Sequence, residues 1–303
     1  MVIRISVRRL VQAKNQLEKI VKERTAEVVE QKHLIEEKHK EITDSINYAE
    51  RIQRSFLATK DLLDNNLKDY FVFFKPKDVV SGDFYWASTI INSSGVQNFA
   101  LVTADSTGHG VPGAIMSLLN ITSLEKAIEH HTEPAEILNY TRKSIIDRLK
   151  KDGSAEGGKD GMDASLVCFD FLNNTLTFSA ANNPVWIVRA SAYSATTEKI
   201  FEIIETKPDK MPVGKHDRQD VPFTQHEVVL QKGDVVYTLT DGFPDQFGGE
   251  KGKKFMSKNL RELLASNSHL PMRQQKKLLE DTFAKWVGAL EQIDDVTIIG
   301  VRI

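Results

Sequence analysis

Acidic residues that could carry chemistry stand at predicted strand boundaries in four separate parts of the chain: Asp83, Asp105, Asp241 and the pair Asp294-Asp295. A single Asp at a strand end usually belongs to an ordinary turn. Four such places together favour a site for hard divalent cations, because Mg²⁺ and Mn²⁺ prefer oxygen ligands that converge from different parts of a chain. The sequence therefore predicts a binding site for Mn²⁺ or Mg²⁺.

The reaction that such a site could support is hydrolysis of a phosphate ester. Two metal ions about 3.5–4 Å apart lower the pKa of a shared water, so that no nucleophilic side chain is needed. Asp105 is the best candidate for the ligand that bridges two ions, because it follows the apolar run 99–104 and precedes a turn. Cys168, the only cysteine, lies inside another apolar run, which indicates a buried, inert thiol rather than a nucleophile.

Strands must position these aspartates. Gly108 and Gly110 lead from Asp105 into a predicted helix, and the apolar runs 235–240 and 296–301 predict strands beside the other two acidic motifs. From residue 65 onward, strands dominate and the helices 112–129 and 134–150 come as a block, without the alternation of βαβ units. This order predicts an α+β fold of packed layers over residues 65–303.

Composition argues against several classes of function. The 303 residues are 41% hydrophobic and carry a formal net charge of -2. A sizeable core is therefore expected, and nothing favours a nucleic-acid partner or an acidic membrane surface. No stretch approaches the ~18–20 uninterrupted apolar residues of a membrane span. A single cysteine suits a reducing cytoplasm.

Residues 1–64 form a separate predicted domain, a long coiled-coil helix. The chain has no Pro or Gly up to residue 57, and apolar residues recur there on a sevenfold line: Val7, Val21, Val28, Ile35, Ile42, Ala49 and Phe56. Such a repeat predicts a left-handed coiled coil, whose centre is weakened by a polar stretch in the companion line. A solitary helix is disfavoured because it would leave the apolar line exposed. We therefore expect a parallel homodimer.

The same stretch resembles the helical connectors that follow membrane spans or sensor domains in bacterial signalling proteins. Arg4, Arg8 and Arg9 would suit a cytoplasmic membrane edge, although a basic start that arose by chance explains them nearly as well. The expected location is the cytoplasm, either as a soluble protein or as the cytoplasmic part of a membrane-anchored protein with an upstream sensor or membrane domain.

Four ordered motifs resemble those of PPM-type protein serine/threonine phosphatases, in the bacterial branch of the stage II sporulation phosphatase. They are Ser81-Gly82-Asp83-Phe84-Tyr85, Asp105-Ser106-Thr107-Gly108-His109-Gly110, Thr240-Asp241-Gly242 and Asp294-Asp295-Val296-Thr297. The resemblance implies a central β-sandwich with helices on its outer faces. It also implies a metal-dependent phosphatase that acts on phosphoserine or phosphothreonine through a metal-activated water.

The resemblance also assigns the ligands. Asp105, the Ser106 carbonyl, Asp241 and Asp294 would hold the first metal ion, and Asp83 would hold the second directly or through water. Asp83, Asp105, Asp241 and Asp294 are thus the expected catalytic residues, whereas Asp295 is expected to act from outside the metal shell. Asp160 and Asp163 are candidates for a third ion, with solvated loop carboxylates as the alternative. The arginine that binds phosphate in many relatives has no clear counterpart, and Lys75 and Lys77 stand in that region.

The resulting hypothesis is a phosphatase for a bacterial regulatory protein, such as an anti-sigma factor antagonist, controlled through the N-terminal coiled coil. Two alternatives remain open. One is a catalytically weak signalling scaffold that binds its partner, and the other is a hydrolase of a different phosphoester.

Overall fold

The structure is a computed structural model that describes residues 2–91, 95–150, 160–190 and 201–303. The chain divides into two compact units, Met1–Ala49 and Glu50–Ile303. The second unit begins earlier than residue 65, because the last turns of the N-terminal helix and the short helix that follows it contribute Leu57, Leu63 and Leu67 to its core. The polar, glycine-rich stretch 152–161 predicts a loop, most of which lies outside the described residues.

A single helix, α1 (Val2–Phe56), makes up the first unit and continues into the second. Its surface carries ion pairs one turn apart, such as Lys14 with Glu18, which support a solvated helix only weakly. The predicted apolar line is exposed within the single chain, at 61% for Val28 and 66% for Ile35. The parallel coiled coil therefore stays a prediction. Among the described residues, no helix is long and apolar enough to cross a membrane.

The second unit contains the remaining elements, which begin with α2 and end with β13. In chain order they are α2 (Lys60–Asn66), β1 (Asp69–Lys75), β2 (Asp83–Ile91), β3 (Gln97–Ser106), α3 (Gly110–Ile128), α4 (Pro134–Leu149), β4 (Gly161–Asp170), β5 (Thr175–Ala181), β6 (Val185–Ala190), β7 (Phe201–Thr206), β8 (Val213–Gly214), β9 (His226–Val229), β10 (Val235–Leu239), α5 (Gly242–Asp245), β11 (Phe247–Gly248), β12 (Lys253–Lys254), α6 (Ser257–Asn267), α7 (Met272–Val287) and β13 (Val296–Arg302).

Two antiparallel sheets form the centre of this unit. One has the strand order β1-β13-β10-β6-β7, and the other has the order β2-β3-β4-β5-β9, with β8 beside β4. Apolar side chains from both sheets share one core, among them Leu101, Phe178, Val236 and Ile299. Such packing is expected when each sheet buries one face. The predicted α+β fold with a central β-sandwich is confirmed.

Helices cover the outer faces of both sheets. Ile121, Leu124 and Ile137 of α3 and α4 pack on the six-stranded sheet, beside Val102 and Leu166. On the five-stranded sheet, α6 and α7 supply Leu260, Leu264, Leu279 and Phe283. Sequence analysis predicted α3 and α4 but not α6 and α7. The stretch 223–230 also predicts a strand, but the strand in the structure is shorter and spans only His226–Val229, which pairs with β5.

Candidate metal centre

Three neighbouring strands of the six-stranded sheet bring three of the candidate carboxylates to one end. Asp83, the first residue of β2, lies directly opposite Asp105 near the end of β3, and Asp105 in turn lies opposite Asp163 near the start of β4. Directly opposed residues in antiparallel strands have Cβ atoms only about 4.5–5.5 Å apart. This strand register therefore brings the three acids together.

The five-stranded sheet delivers the other two. Asp241 follows β10 and Asp294 comes just before β13, and these two strands are paired. The backbone N–H of Thr240 donates to the carbonyl of Thr297 at 3.0 Å, so the pairing continues to the edge of the site. Asp105, Asp163 and Asp294 line one cleft of about 270 Å³. The candidate ligands thus come from both sheets of the sandwich.

Burial and mutual repulsion dominate the electrostatics of the cleft. Desolvation raises the pKa of Asp105 to about 10, and the charges of Asp83, Asp241 and Asp294 add to this. Asp241 is exposed to solvent. Desolvation by the surrounding protein and the charge of Asp294 nevertheless raise its pKa to about 6. Burial also raises the pKa of Asp163 and Asp294. A cation in the cleft would relieve this repulsion.

The donor set fits a hard divalent metal ion. The acidic side chains of the cleft offer only oxygen ligands, and burial together with neighbouring carboxylates raises the pKa values of Asp105 and Asp241. Within the described part of the chain, no three Asp, Glu, His or Cys side chains are gathered closely enough to hold one ion between them. A metal ion here would complete its shell with backbone carbonyls and water, as Mg²⁺ does in many proteins.

Asp83 is the most buried of these acids, with 1% of its surface exposed. Burial raises its pKa well above the ordinary value, while hydrogen bonds from Thr297 and Thr240 oppose that shift. Both threonine hydroxyls donate to the Asp83 Oδ2 atom at 2.7 Å. These threonines belong to the two acidic motifs of the opposite sheet, and sequence analysis gave neither a role.

Asp294 and Asp295 have different surroundings. Asp294 faces the cleft. Asp295 is buried, and its two carboxylate oxygens accept the backbone N–H groups of Lys77 and Gly82, each at 2.7 Å. Asp295 therefore holds both ends of the segment 77–82, which precedes Asp83. Asp294 stays the predicted ligand of the pair.

Ser106 directs its side chain away from the cleft. Its hydroxyl accepts a hydrogen bond from Asn120 of α3 at 3.0 Å, which leaves the backbone carbonyl as the group for a metal. Close packing of three glycines surrounds this turn. A Cβ atom on Gly82 would lie 2.4 Å from the Gly108 carbonyl oxygen, and one on Gly113 would lie 2.2 Å from the same atom. Only glycine allows β2, the turn and α3 to approach so closely.

Basic side chains lie near two of the candidate ligands. Lys77 and His109 both act on the carboxylate of Asp294 by lowering its pKa, against the stronger effect of burial. The His109 ring is exposed and lies 3.4 Å from the Asp78 carboxylate, at the start of α3. On the other side, the β11–β12 hairpin carries Lys254, which pairs with Asp245 at 2.8 Å. Asp160 is half-buried and does not line the cleft.

Cys168 and Gln53 are both buried, but the sequence predicts burial only for Cys168. Cys168 is buried in the core, as predicted, and burial raises its thiol pKa far above the ordinary value. Gln53, near the end of α1, received no attention in the sequence because a Gln in a charged helix is unremarkable. It is 4% exposed, and its amide bonds the backbone of Ser81, two residues before Asp83.

An antiparallel sandwich with outer helices and strand-end carboxylates at one cleft defines a PP2C-type serine/threonine phosphatase. The chain belongs to the family of stage II sporulation protein E (SpoIIE), whose family model matches residues 95–303. Phosphatases of this type depend on divalent metal ions. The comparison with curated protein sequences gives no match.

Solved structures support the same assignment. The SiaA-PP2C domain of Pseudomonas aeruginosa is 31% identical, with 88% of this chain and 98% of that chain covered and a TM-score of 0.73. The PP2C domain of SpoIIE from Bacillus subtilis, with a fragment of its regulatory domain, is 16% identical, with coverage of 78% and 63% and a TM-score of 0.58. RsbX in complex with magnesium is 15% identical, with coverage of 77% and 94% and a TM-score of 0.51. The last two likenesses show the fold.

Proposed function

We propose that this chain removes phosphate from phosphoserine or phosphothreonine in a bacterial regulatory protein, with an anti-sigma factor antagonist as the expected type of substrate. The observation that carries the proposal is the convergence of carboxylates from both sheets on one cleft of about 270 Å³. Membership of the SpoIIE family supports the type of reaction. The substrate type follows from the resemblance to the bacterial branch that acts on such antagonists.

The cofactors in this proposal are two Mn²⁺ or Mg²⁺ ions. Asp105 would hold both ions, the Ser106 carbonyl, Asp241 and Asp294 would hold the first ion with it, and Asp83 would hold the second. When bound, the ions lower the pKa of a water, so that it can attack phosphorus, and offset the charge of the phosphate. The raised pKa values of Asp105 and Asp241 support this ligand set, because each carboxylate is held near others of like charge. Asp163 lines the cleft and is the candidate for a third ion.

The chain itself must bind and orient the phosphate group. Lys77 and His109 are basic side chains that act on Asp294, and we assign them to the entry of a dianionic substrate. Lys77 replaces the arginine of many relatives. A lysine offers a point charge rather than a fork of donors, so it would attract phosphate without fixing its orientation as strongly.

Control through the N-terminal helix is part of the proposal. The middle of the apolar line of α1 is exposed, from Val21 at 54% to Ile42 at 58%. A second copy of the same helix would cover it in parallel register. The proposed homodimer would then set the arrangement of two phosphatase units.

The test compares a phosphoserine peptide with a nucleoside triphosphate as substrate, in Mn²⁺ and in chelator. We expect hydrolysis of the peptide only with Mn²⁺ or Mg²⁺. Asp105→Asn should reduce the rate by far more than tenfold, where tenfold corresponds to about 1.4 kcal/mol in barrier height. Asp217→Asn is a matched control, because Asp217 is exposed and lies outside the cleft.

Three outcomes would contradict parts of the proposal. Preference for the nucleotide would favour a different phosphoester, and no metal-dependent hydrolysis at all would favour a signalling scaffold. An Asp105→Asn rate within about tenfold of wild type would remove Asp105 from the bridging role. Alkylation of the chain should leave activity unchanged, since the Cys168 thiol is buried. Inactivation with the fold intact would instead indicate a cysteine mechanism.

A further inference from the structure

The carboxylate of Asp83 is held by two hydroxyl groups from the opposite sheet. Asp83 begins β2 of the six-stranded sheet, whereas Thr240 follows β10 and Thr297 lies in β13 of the five-stranded sheet. Both hydroxyls donate to the same atom, Asp83 Oδ2, at 2.7 Å. All three side chains are at most 1% exposed. Water therefore does not share these hydrogen bonds.

The direction of the Thr240 hydroxyl is fixed by the backbone. The N–H of Thr297 donates to Thr240 Oγ1 at 2.9 Å, which occupies a lone pair of that oxygen. The hydroxyl hydrogen then has two acceptors, Asp83 Oδ2 at 2.7 Å and the Thr297 carbonyl at 3.4 Å. The shorter contact to a carboxylate is the stronger one. Thr240 is thus oriented as a donor to Asp83.

We propose that Thr240 and Thr297 are positioning residues that make Asp83 a one-oxygen metal ligand. The inference rests on the proposed role of Asp83 in holding a metal ion. Because both hydroxyls engage Oδ2, the other oxygen, Oδ1, is the atom that serves the cation. Neutral donors support the carboxylate charge without neutralising it, whereas Lys or Arg would compete with the metal. Loss of such hydrogen-bond partners around metal ligands typically costs about 10–100-fold in metal affinity.

The proposed role gives a function to two motif residues, Thr240 and Thr297, that are not themselves candidate ligands. Thr240 immediately precedes Asp241, and Thr297 lies three residues after Asp294. Each strand of this pair therefore supplies one candidate ligand to the cleft and one hydroxyl to a ligand of the other sheet. A nearby pair offers a contrast, since Thr103 and Thr238 also link the two sheets, at 2.6 Å, but bond only to each other among the described contacts.

The test measures Mn²⁺ binding to the full chain by titration calorimetry, with Mn²⁺ alone as the probe. Thr→Val keeps the shape of the side chain and removes the hydroxyl, whereas Thr→Ser keeps the hydroxyl. Thr240→Val with Thr297→Val should weaken Mn²⁺ binding by at least about tenfold. Thr240→Ser with Thr297→Ser should bind within about threefold of wild type, or about 0.7 kcal/mol.

A matched control uses the contrasting pair. Thr103→Val with Thr238→Val removes an equally buried hydroxyl pair between the same sheets, and replacing both partners of a hydrogen bond by apolar groups is nearly neutral. This control should keep Mn²⁺ affinity within about threefold of wild type. Circular dichroism in chelator checks that each variant is folded. If the double valine variant does not fold, Thr240→Val and Thr297→Val are measured singly.

Several results would overturn the inference. Wild-type affinity in the double valine variant, or in both single variants, would show that the hydroxyls do not support the ligand. Equal loss in the serine variant would assign the effect to side-chain shape. Asp83→Asn separates the inference from the proposed function. If Asp83→Asn loses Mn²⁺ affinity and the valine variants do not, only the inference fails, whereas unchanged affinity in Asp83→Asn removes Asp83 from the metal centre and the inference with it.

Discussion

The side-chain amide of Gln53 pairs with the backbone of Ser81 in both directions. The Gln53 Nε2 atom donates to the Ser81 carbonyl at 2.5 Å, and the Ser81 N–H donates to Gln53 Oε1 at 3.1 Å. Nε2 also donates to the Ser117 hydroxyl of α3 at 2.9 Å. The next residue, Gly82, donates to Asp295. The end of α1 therefore holds the segment that leads into Asp83.

Replacing Gln53 should disturb this segment. Gln53→Ala leaves two buried backbone groups of Ser81 without their partner, and each unmade buried hydrogen bond costs roughly 1–3 kcal/mol. We expect a loss of this size in the free energy of unfolding, measured with urea, together with weaker Mn²⁺ binding. Ser55→Ala is the control, because Ser55 is exposed and bonds only the carbonyl of Ile52 in its own helix. Unchanged stability and Mn²⁺ affinity in Gln53→Ala would mean that other contacts hold the segment.

Adjacent aspartates should give opposite effects on stability. Asp294→Asn removes a charge from a crowded cleft, so the metal-free protein should gain thermal stability. Hydrolysis should fall by far more than tenfold, where tenfold corresponds to ~1.4 kcal/mol in barrier height. In Asp295→Asn, one of the two carboxylate oxygens that accept backbone N–H groups is replaced by an amide donor, so the free energy of unfolding should fall by roughly 1–3 kcal/mol. The loss of activity should be milder than in Asp294→Asn. Scanning calorimetry in chelator and a phosphopeptide assay provide the two measurements. Equal loss of activity in both variants would show that Asp295 is also a ligand.

The metal-free protein should lose stability as the pH rises. The folded-state pKa values of about 10 for Asp105 and about 6 for Asp241 lie above the ordinary value of 3.8. Between pH 3.8 and 6 the folded state binds more protons than the unfolded state at both residues, and between pH 6 and 10 at Asp105 alone. Stability contributed by these groups is therefore present at low pH and lost toward high pH.

Urea unfolding in chelator at pH 5 and pH 8 would measure this loss. Asp105→Asn should reduce the difference between the two pH values, because Asn does not titrate. The Asp217→Asn variant should keep it. A wild-type protein that becomes more stable from pH 5 to 8, with no change in that slope in Asp105→Asn, would contradict the prediction.

Glutamates on the apolar line of α1 should separate the proposed dimer. Val28→Glu with Ile35→Glu would bury two unpaired charges in each helix of the seam, which a coiled coil does not tolerate. Val29→Glu with His33→Glu adds glutamates at neighbouring positions off the apolar line and should leave the dimer intact. Sedimentation velocity distinguishes the two. A Val28→Glu, Ile35→Glu protein that stays dimeric would place the interface in the phosphatase unit.

Local patterns predicted the parts of the fold that depend on neighbouring residues. The apolar runs that became β3, β10 and β13, and the turn at Gly108, are visible in short stretches of sequence. The missed helices α6 and α7 also carry a local signal, since Leu260 and Leu264 are spaced by one helical turn, as are Leu279 and Phe283. Their many charged residues and lack of strong caps hid that signal.

Contacts between distant segments could not be predicted in this way. The register that places Asp83 opposite Asp105 depends on long-range pairing of β2 with β3. Two further features depend on how the sheets and α1 come together. They are the hydrogen bonds from the Lys77 and Gly82 N–H groups to Asp295, and the burial of Gln53. A single sequence records the residue types at these positions but not their partners.

The division of the acidic residues between the two sheets has a consequence for synthesis of the protein. Strand β13, which carries Thr297 and follows Asp294, is the last strand in chain order, yet it pairs between β1 and β10 in the middle of its sheet. A nascent chain that has not yet released this strand from the ribosome has Asp83 and Asp105 but not Asp294. Such a chain cannot assemble the cleft, so unfinished copies would not dephosphorylate cellular proteins before they have folded.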